Sequence, residues 1–296
     1  MRIFVTGATG YLGYHIACQC LIEGHQILCL RRSTSNSLFE PEIEKKIQWV
    51  TMNEDGWENI IITFSPDVLI HAAWGGVRGT ERDDVFIQKQ NIALSKYLFQ
   101  IYPFKQIIAM GSQAEYGFYK EVVSEDYYSK PETEYAKAKL ESLGFLKNYC
   151  EQNNIEWQWL RVFTVFGEKQ TGGLIPLAIS NCKNGVKSFD TTGGEQKYSY
   201  LYVKDFAKAT CNVIGKTGKS GIYNVSQPAE VHSNKNILET INIMMQSNLQ
   251  YNYGALSYAK NQIMLMSGKV DKFERAFGKI PHTDFEVAMK KTINSL

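Results

Sequence analysis

Short apolar runs recur through the first half of this 296-residue chain, each followed by a glycine or proline break or by a stretch with helical spacing. Arg2-Ile3-Phe4-Val5-Thr6 predicts a buried strand. Residues 7–13 break it, and residues 14–23 read as a helix stopped by Gly24. Further strands are predicted at 26–30, 48–52, 67–73, 106–110 and 156–163, with helices at 84–100 and from 133, the latter introduced by Pro131. Strands alternating with helices predict an α/β protein built on one parallel, doubly wound sheet of the Rossmann type. After Gly167 the pattern loosens. Gly172-Gly173, Gly193-Gly194 and Gly218 to Gly221 punctuate a region with predicted helices at 178–182, 205–214, 236–245 and 285–293, and short strands at 198–203 and 222–225. The expected organisation is a dinucleotide-binding domain over 1–166, open to being rejoined by later segments. A smaller α/β substrate-binding region follows over 167–296, with a cleft between the two.

Bulk properties narrow the picture only a little. Hydrophobic content of 44% is ordinary for a globular protein, and a net charge of +2 calls for neither a nucleic-acid nor an anionic-membrane partner. The N-terminal apolar run ends at Gly7, too early for a signal peptide, and no run is long enough to span a bilayer. The six cysteines are scattered without a CxxC pair, which reads as reduced thiols in a cytoplasmic protein with no disulfide framework and no metal site.

The chemistry gathers where strands end. Gly7-Ala8-Thr9-Gly10-Tyr11-Leu12-Gly13 lies between a strand and a capped helix, where glycines let the backbone approach a pyrophosphate seated on free N–H groups. The second strand ends in Arg31-Arg32, and no acidic residue follows until Glu40. An acid there would bind the ribose 2′-OH of NAD, whereas a basic residue suits the 2′-phosphate of NADP. Asn53 closes the third strand, and Ala72 and Ala73 close the fourth with side chains small enough for a flat cofactor. His71 beside them reads as a structural histidine. Ser112, just beyond the fifth strand, is a hydrogen-bond donor for a substrate oxygen. Tyr135 and Lys139 are four apart on a predicted helix and so share a face. A free phenol ionises near pH ~10, and a neighbouring ammonium is expected to lower that value and make the pair an acid–base unit.

Taken together and in this order, these motifs resemble the extended short-chain dehydrogenase/reductases, specifically the nucleotide-sugar epimerases, dehydratases and ketoreductases. Tyr135 and Lys139 match the family's YxxxK, and Ser112, four residues before Tyr116-Gly117, matches its catalytic Ser or Thr. Residues 161–167, 174–176, 200–205, 221–225 and 271–272 are similar to its later signposts. The resemblance implies Ser112, Tyr135 and Lys139 as catalytic residues. It implies Gly7, Thr9, Gly10, Tyr11, Leu12, Arg31, Arg32, Asn53, Ala72 and Ala73, with Tyr135 and Lys139, as the cofactor site. Ser112, Gln113, Thr164, Leu174, Ile175 and Lys197 then face a nucleotide-diphosphate sugar, and a homodimer is expected through helices including the one bearing Tyr135.

Two departures matter. Gln113-Ala114 stand where the 4,6-dehydratases carry an Asp-Glu pair, and neither can do that proton chemistry; Glu115 comes next, on the wrong side of the loop to replace it. Lys197 stands where many members place an Arg, so the phosphate anchor loses its bidentate fork. The resulting expectation is NADPH-dependent reduction of a nucleotide-linked 4-keto-6-deoxy sugar. The alternatives are a nucleotide-sugar 4-epimerase retaining NAD, and a redox-sensing NADP-binding protein for which an intact Ser112, Tyr135 and Lys139 set would be superfluous.

Overall fold

A computed structural model describes every residue except Ala229. The chain runs β1 (Arg2–Thr6), α1 (Tyr11–Ile22), β2 (Gln26–Arg31), α2 (Pro41–Glu44), β3 (Gln48–Thr51), α3 (Trp57–Phe64), β4 (Val68–His71), α4 (Val85–Gln100), β5 (Gln106–Ser112), α5 (Glu134–Asn153) and β6 (Glu156–Val162). It continues with β7 (Thr164–Phe166), α6 (Leu174–Lys183), β8 (Ser188–Thr191), β9 (Lys197–Tyr198), β10 (Tyr200–Tyr202), α7 (Val203–Asn212) and β11 (Gly221–Val225). The last elements are β12 (His232–Ser233), α8 (Asn234–Met245), β13 (Gln250–Tyr253), β14 (Leu265–Met266), α9 (Asp271–Phe277) and α10 (Phe285–Ser295).

Seven parallel strands form the main sheet in the order β11-β6-β5-β4-β1-β2-β3. Its strands are buried on both faces, as a parallel sheet covered by helices requires. Ile3, Val5, Ile27 and Ile70 pack into one apolar layer, and Phe4, Leu28, Leu69 and Ile107 into the other. The order reverses between β1 and β4, so the crevice for a ligand opens beyond the ends of these two strands. Smaller sheets pair β7 with β10, β8 with β13, and β9 with β12 and β14. Their core is separate, with Phe166, Ile179, Tyr202, Ile237 and Met289 at its centre.

The structure departs from the sequence reading in several places. Residues 222–225 belong to the main sheet rather than to the smaller region: β11 pairs with β6, and α7 packs on α1. Residues 198–203 form two strands instead of one, because the chain changes partners at Ser199, whose hydroxyl bonds Ser226 Oγ at 2.6 Å and Met266 O at 3.2 Å; Val203 already opens α7. The α5 helix begins at Glu134, within one residue of the expected start, but Pro131 lies before its cap rather than in its first turn, and Thr133 caps it on the Ala136 N–H. Finally, α3 has no counterpart in the reading. Its Ile-Ile-Ile-Thr run looks extended, yet Trp57, Ile61 and Phe64 share one buried face.

Candidate active site

The crevice is closed at its floor by backbone contact. Gly7 follows β1 with φ of 79°, and a Cβ there would stand 2.6 Å from the Ala72 carbonyl carbon at the end of β4. A Cβ on Gly13 would meet Gly7 O at 2.1 Å. Glycine is therefore required at both positions, and the turn is pulled tight by the Gly10 N–H donating to Gly7 O at 2.9 Å. The Tyr14 N–H takes Gly10 O, so the N–H groups of Tyr11, Leu12 and Gly13 are the free first-turn donors of α1 that an anion requires. These donors could hold an anionic group such as a pyrophosphate, while Tyr11 and Leu12 pack against the smaller core and Ala72 against the main one.

At the other end, Arg31 Nε points to Thr51 Oγ1 at 3.5 Å and its guanidinium lies 5.3 Å from the Trp49 ring centroid, while Arg32 is exposed. Neither arginine makes an ion pair among the described residues. Asn53 adopts a left-handed backbone, φ 67°, and lines a cavity of about 330 Å³ with Met52, Trp57, Leu94 and Tyr97. His71 lies between Thr6 Oγ1 at 2.8 Å and Ser95 Oγ at 2.9 Å, and burial pushes it down to about 3, so it is a neutral structural imidazole.

Ser112, Tyr135 and Lys139 come together where β5 ends beside the first turns of α5. The Ser112 hydroxyl is hydrogen-bonded to the Tyr135 phenol and also accepts from the Ala114 N–H at 3.2 Å. Lys139 is buried, and its Nζ donates to Met110 O at 2.7 Å. That same ammonium lies 3.5 Å from the Trp74 ring centroid but 5.8 Å from that of Tyr135. Its attachment to Trp74 and a carbonyl corrects the expectation of a phenol acidified by its lysine. Burial instead pushes the Tyr135 phenol above its ordinary value, with Ser112 and Arg82 acting against that and Glu115 with it. Burial pushes the Lys139 ammonium down to about 7, opposed by Glu115.

Glu115 turns under the site. It accepts the Ser112 N–H at 2.7 Å, the Trp159 indole N–H at 2.9 Å and Arg161 Nε at 2.7 Å. The Glu115–Arg161 pair is fully buried. A Cβ on Gly111 would stand 2.1 Å from Trp159 Nε1, so only glycine lets this layer pass beneath Ser112. The carboxylate is thus consumed in holding the loop.

On the far side the predicted residues are more loosely disposed. Thr164 Oγ1 donates to Met266 Sδ at 3.3 Å. Leu174 is half-buried at the start of α6, whereas Ile175 is only 2% exposed and packs in the core. Lys197 is exposed on β9, and the Gln113 amide oxygen accepts from Tyr119 OH at 2.9 Å. A cavity of about 720 Å³ runs along the outer face of α6, between Gly172, Pro176, Leu177, Lys183 and Leu296.

Sequence reasoning missed three residues on the segment after β4. Trp74 covers Lys139, Arg82 covers the Tyr135 ring at 4.8 Å from its centroid, and Arg78 rests against Gly172 across the crevice. A Trp-Gly-Gly following two alanines was the available signal for the first; nothing local marked the arginines. Among the described residues no group of three or more His, Cys, Asp or Glu is placed to hold a metal, and no helix is long and apolar enough to cross a membrane.

Comparison with known proteins accords with this geometry. The profile of the NAD dependent epimerase/dehydratase family matches residues 3–226. CDP-abequose synthase of Salmonella muenchen is 26% identical over 273 residues, covering 89% of this chain and 87% of that protein. The dTDP-4-dehydro-6-deoxyglucose reductase of Escherichia coli is also 26% identical, over 156 residues that cover 51% of this chain and 49% of its own. UDP-glucuronic acid 4-epimerase from Bacillus cereus, solved with UDP-glucuronic acid and NAD, has the same fold, with a TM-score of 0.85 at 20% identity over 99% of this chain and 98% of that one.

Proposed function

The chain belongs to the NAD dependent epimerase/dehydratase family of extended short-chain dehydrogenase/reductase-type nucleotide-sugar enzymes, and we propose that within it the protein is an NADPH-dependent reductase of a nucleotide-linked 4-keto-6-deoxyhexose. The observation that carries the choice is the end of β2, where Arg31 and Arg32 stand with no carboxylate paired to either among the described residues. Two guanidinium groups suit a 2′-phosphate, and a carboxylate would repel it.

NADPH, when bound, supplies the hydride for the carbonyl carbon. Tyr135 gives its phenol proton to the carbonyl oxygen, and the Ser112 hydroxyl donates a hydrogen bond to that oxygen as charge develops there. Lys139 would hold the nicotinamide ribose. The Gly7–Gly13 turn seats the pyrophosphate, and Trp74 keeps water from the buried lysine. On the substrate side, Lys197 meets the diphosphate as a point charge and Leu174 borders the base. Dehydration is disfavoured because the acid at Glu115 is tied to Arg161 and Trp159. The E. coli relative, a reductase of dTDP-4-dehydro-6-deoxyglucose by name, supports the substrate class. A homodimer through α4 and α5 completes the proposal, since Phe86 and Tyr97 of α4 are 70% and 45% exposed.

A 4-epimerase retaining NAD is the second reading, favoured by the fold likeness to the B. cereus epimerase. The test is an assay of NADPH and NADH oxidation with CDP-, dTDP-, UDP- and GDP-linked 4-keto-6-deoxyhexoses, beside the Arg31→Ala/Arg32→Ala double variant. Charge-assisted bonds of ~1.5–3 kcal/mol each predict that NADPH affinity falls at least tenfold while NADH affinity barely moves. Equal losses would refute the cofactor assignment. Tightly held NAD released on denaturation, with no turnover of keto sugars, would favour the epimerase.

A further inference from the structure

We propose that Trp74 is a positioning residue for Lys139, its indole face carrying the buried ammonium so that the lysine stands charged beside the reacting groups. The proposal rests on the reading of Lys139 as a member of the catalytic set. It adds to that set a residue from the segment after β4.

The contact is close and built. Lys139 is 4% exposed, and its Nζ lies over the Trp74 ring, 3.5 Å from the centroid. The Tyr135 and Trp159 rings are farther away, at 5.8 and 5.9 Å. An ammonium has three N–H donors, and Met110 O takes one of them at 2.7 Å. No carboxylate pairs with Lys139 among the described residues. Burial penalises the charged form and drives Lys139 down to about 7. The π face offsets part of that penalty by attracting the charge as a whole, so a donor remains for a ribose hydroxyl. The ring is fixed from behind by two buried amides of α4. Its indole N–H donates to Gln88 Oε1 at 3.0 Å, and Gln88 donates in turn to Gly76 O and Glu81 O at 3.0 and 3.1 Å. Asn91 bonds both backbone groups of Gly75 at 2.9 Å. Gly76 has a φ of 61°, and a Cβ there would stand 2.8 Å from Glu81 O, so the turn that presents the ring needs glycine.

The charged and titratable groups around Lys139 leave this role to the ring. Glu115, from the turn after β5, favours the ammonium, but its charge is matched by Arg161 at 2.7 Å. His71, at the end of β4, is neutral and held by Thr6 and Ser95. Tyr135, one turn back on α5, is a phenol whose ionisation burial opposes. Arg82 faces the Tyr135 ring, and Glu81 and Asp83 on either side of it are exposed. Glu134 and Glu141 pair with Lys137 and Lys96 at the surface. On α4, Gln88, Asn91 and Ser95 carry no charge.

The test changes the electrons of the ring and leaves its shape. Tryptophan bearing one to four ring fluorines is placed at position 74 of the full-length protein by amber suppression. Ionisation of Lys139 is followed through the ¹³Cε signal of labelled lysine, assigned by its loss in Lys139→Met. Fluorines drain the π face but keep the indole N–H that Gln88 holds. The ionisation is expected to move down stepwise, by about one pH unit at full fluorination. A merely structural Trp74 would leave it in place, because the packing is preserved. In the keto-sugar reduction, activity that needs the charged lysine is lost as pH rises through its value. The alkaline limb of the pH–rate profile should therefore move down in step. A Lys139 signal that ignores the fluorines overturns the proposal, even in an active reductase. A moved signal in a protein that reduces no keto sugar leaves the proposal standing and sinks the substrate reading instead. Should the fluorinated protein fail to fold, Trp74→Phe and Trp74→Leu are compared. The phenyl ring should keep Lys139 charged to higher pH, and equal ionisation in those two also overturns the proposal.

Discussion

The two walls of the crevice are held by different forces. On the sheet side, atoms leave no slack: Gly13 presses on Gly7 O, Gly111 on Trp159, and the Glu115–Arg161 pair is sealed beneath Ser112. On the later side, Lys197 is exposed, Leu174 is half-buried and Thr164 donates to a thioether. The difference teaches where each property resides. The sheet wall fixes the geometry of a reaction, so changes there damage catalysis or the fold. The later wall meets a ligand with groups that can be exchanged, so changes there adjust which nucleotide sugar is held and how well.

The sharpest way to break this contrast is at Tyr135. Tyr135→Phe keeps the ring under Arg82 and removes the proton, so turnover should fall by ~10²–10⁴-fold with an unchanged melting curve. A fall of less than threefold would mean that Tyr135 is only a packed residue. Glu115→Ala comes next. It leaves Arg161 charged and buried, and chemical denaturation should show a loss of ~3–5 kcal/mol. A loss below 1 kcal/mol would show that the layer under Ser112 is looser than the distances indicate.

Lys139→Met sharpens the comparison through pH. The folded-state value of Lys139 is pushed down to about 7, below the ~10.4 of the unfolded chain. Its charge therefore costs stability fully below pH ~7, and that cost fades as pH rises toward the unfolded value. The methionine variant should abolish turnover yet raise the melting temperature, more at pH 6 than at pH 9. An equal gain at both would place the lysine charge in solvent. The smallest effect belongs to the later wall. Lys197→Ala should raise the Michaelis constant for the nucleotide sugar severalfold, leave kcat in place and change stability by less than ~0.5 kcal/mol. An unchanged Michaelis constant for every active sugar would move the phosphate anchor elsewhere, with Arg78 at Gly172 the next residue to change.

The same contrast explains what could be read from sequence. Strands β1 to β6 announce themselves as apolar runs bounded by Gly, Pro or charge, because each is buried on both faces. The glycine turn and the Tyr135–Lys139 spacing are local, and the structure brings them to the crevice with Ser112. What escaped is long-range. The strand at 222–225 was legible, but its pairing with β6 is decided by α7 lying on α1, far along the chain. Strands β9, β12 and β14 are two residues each, too short to carry a period. Arg82 sits between Glu81 and Asp83 and looks like solvated surface; the docking of Asp83 on α5 brings it over Tyr135. Ile175, read as a substrate contact from the resemblance, faces the core because the first turn of α6 buries that side.

The most direct test of the reductase account is transfer of the label itself. The protein is incubated with NADPH deuterated at the nicotinamide C4 and a nucleotide-linked 4-keto-6-deoxyhexose, and the product is examined by mass spectrometry and NMR. The account predicts one deuterium on the sugar C4 from one face of the nicotinamide, with one NADPH consumed per product. Interconversion of C4 epimers without net NADPH consumption, or a product that carries no deuterium at C4, would contradict it.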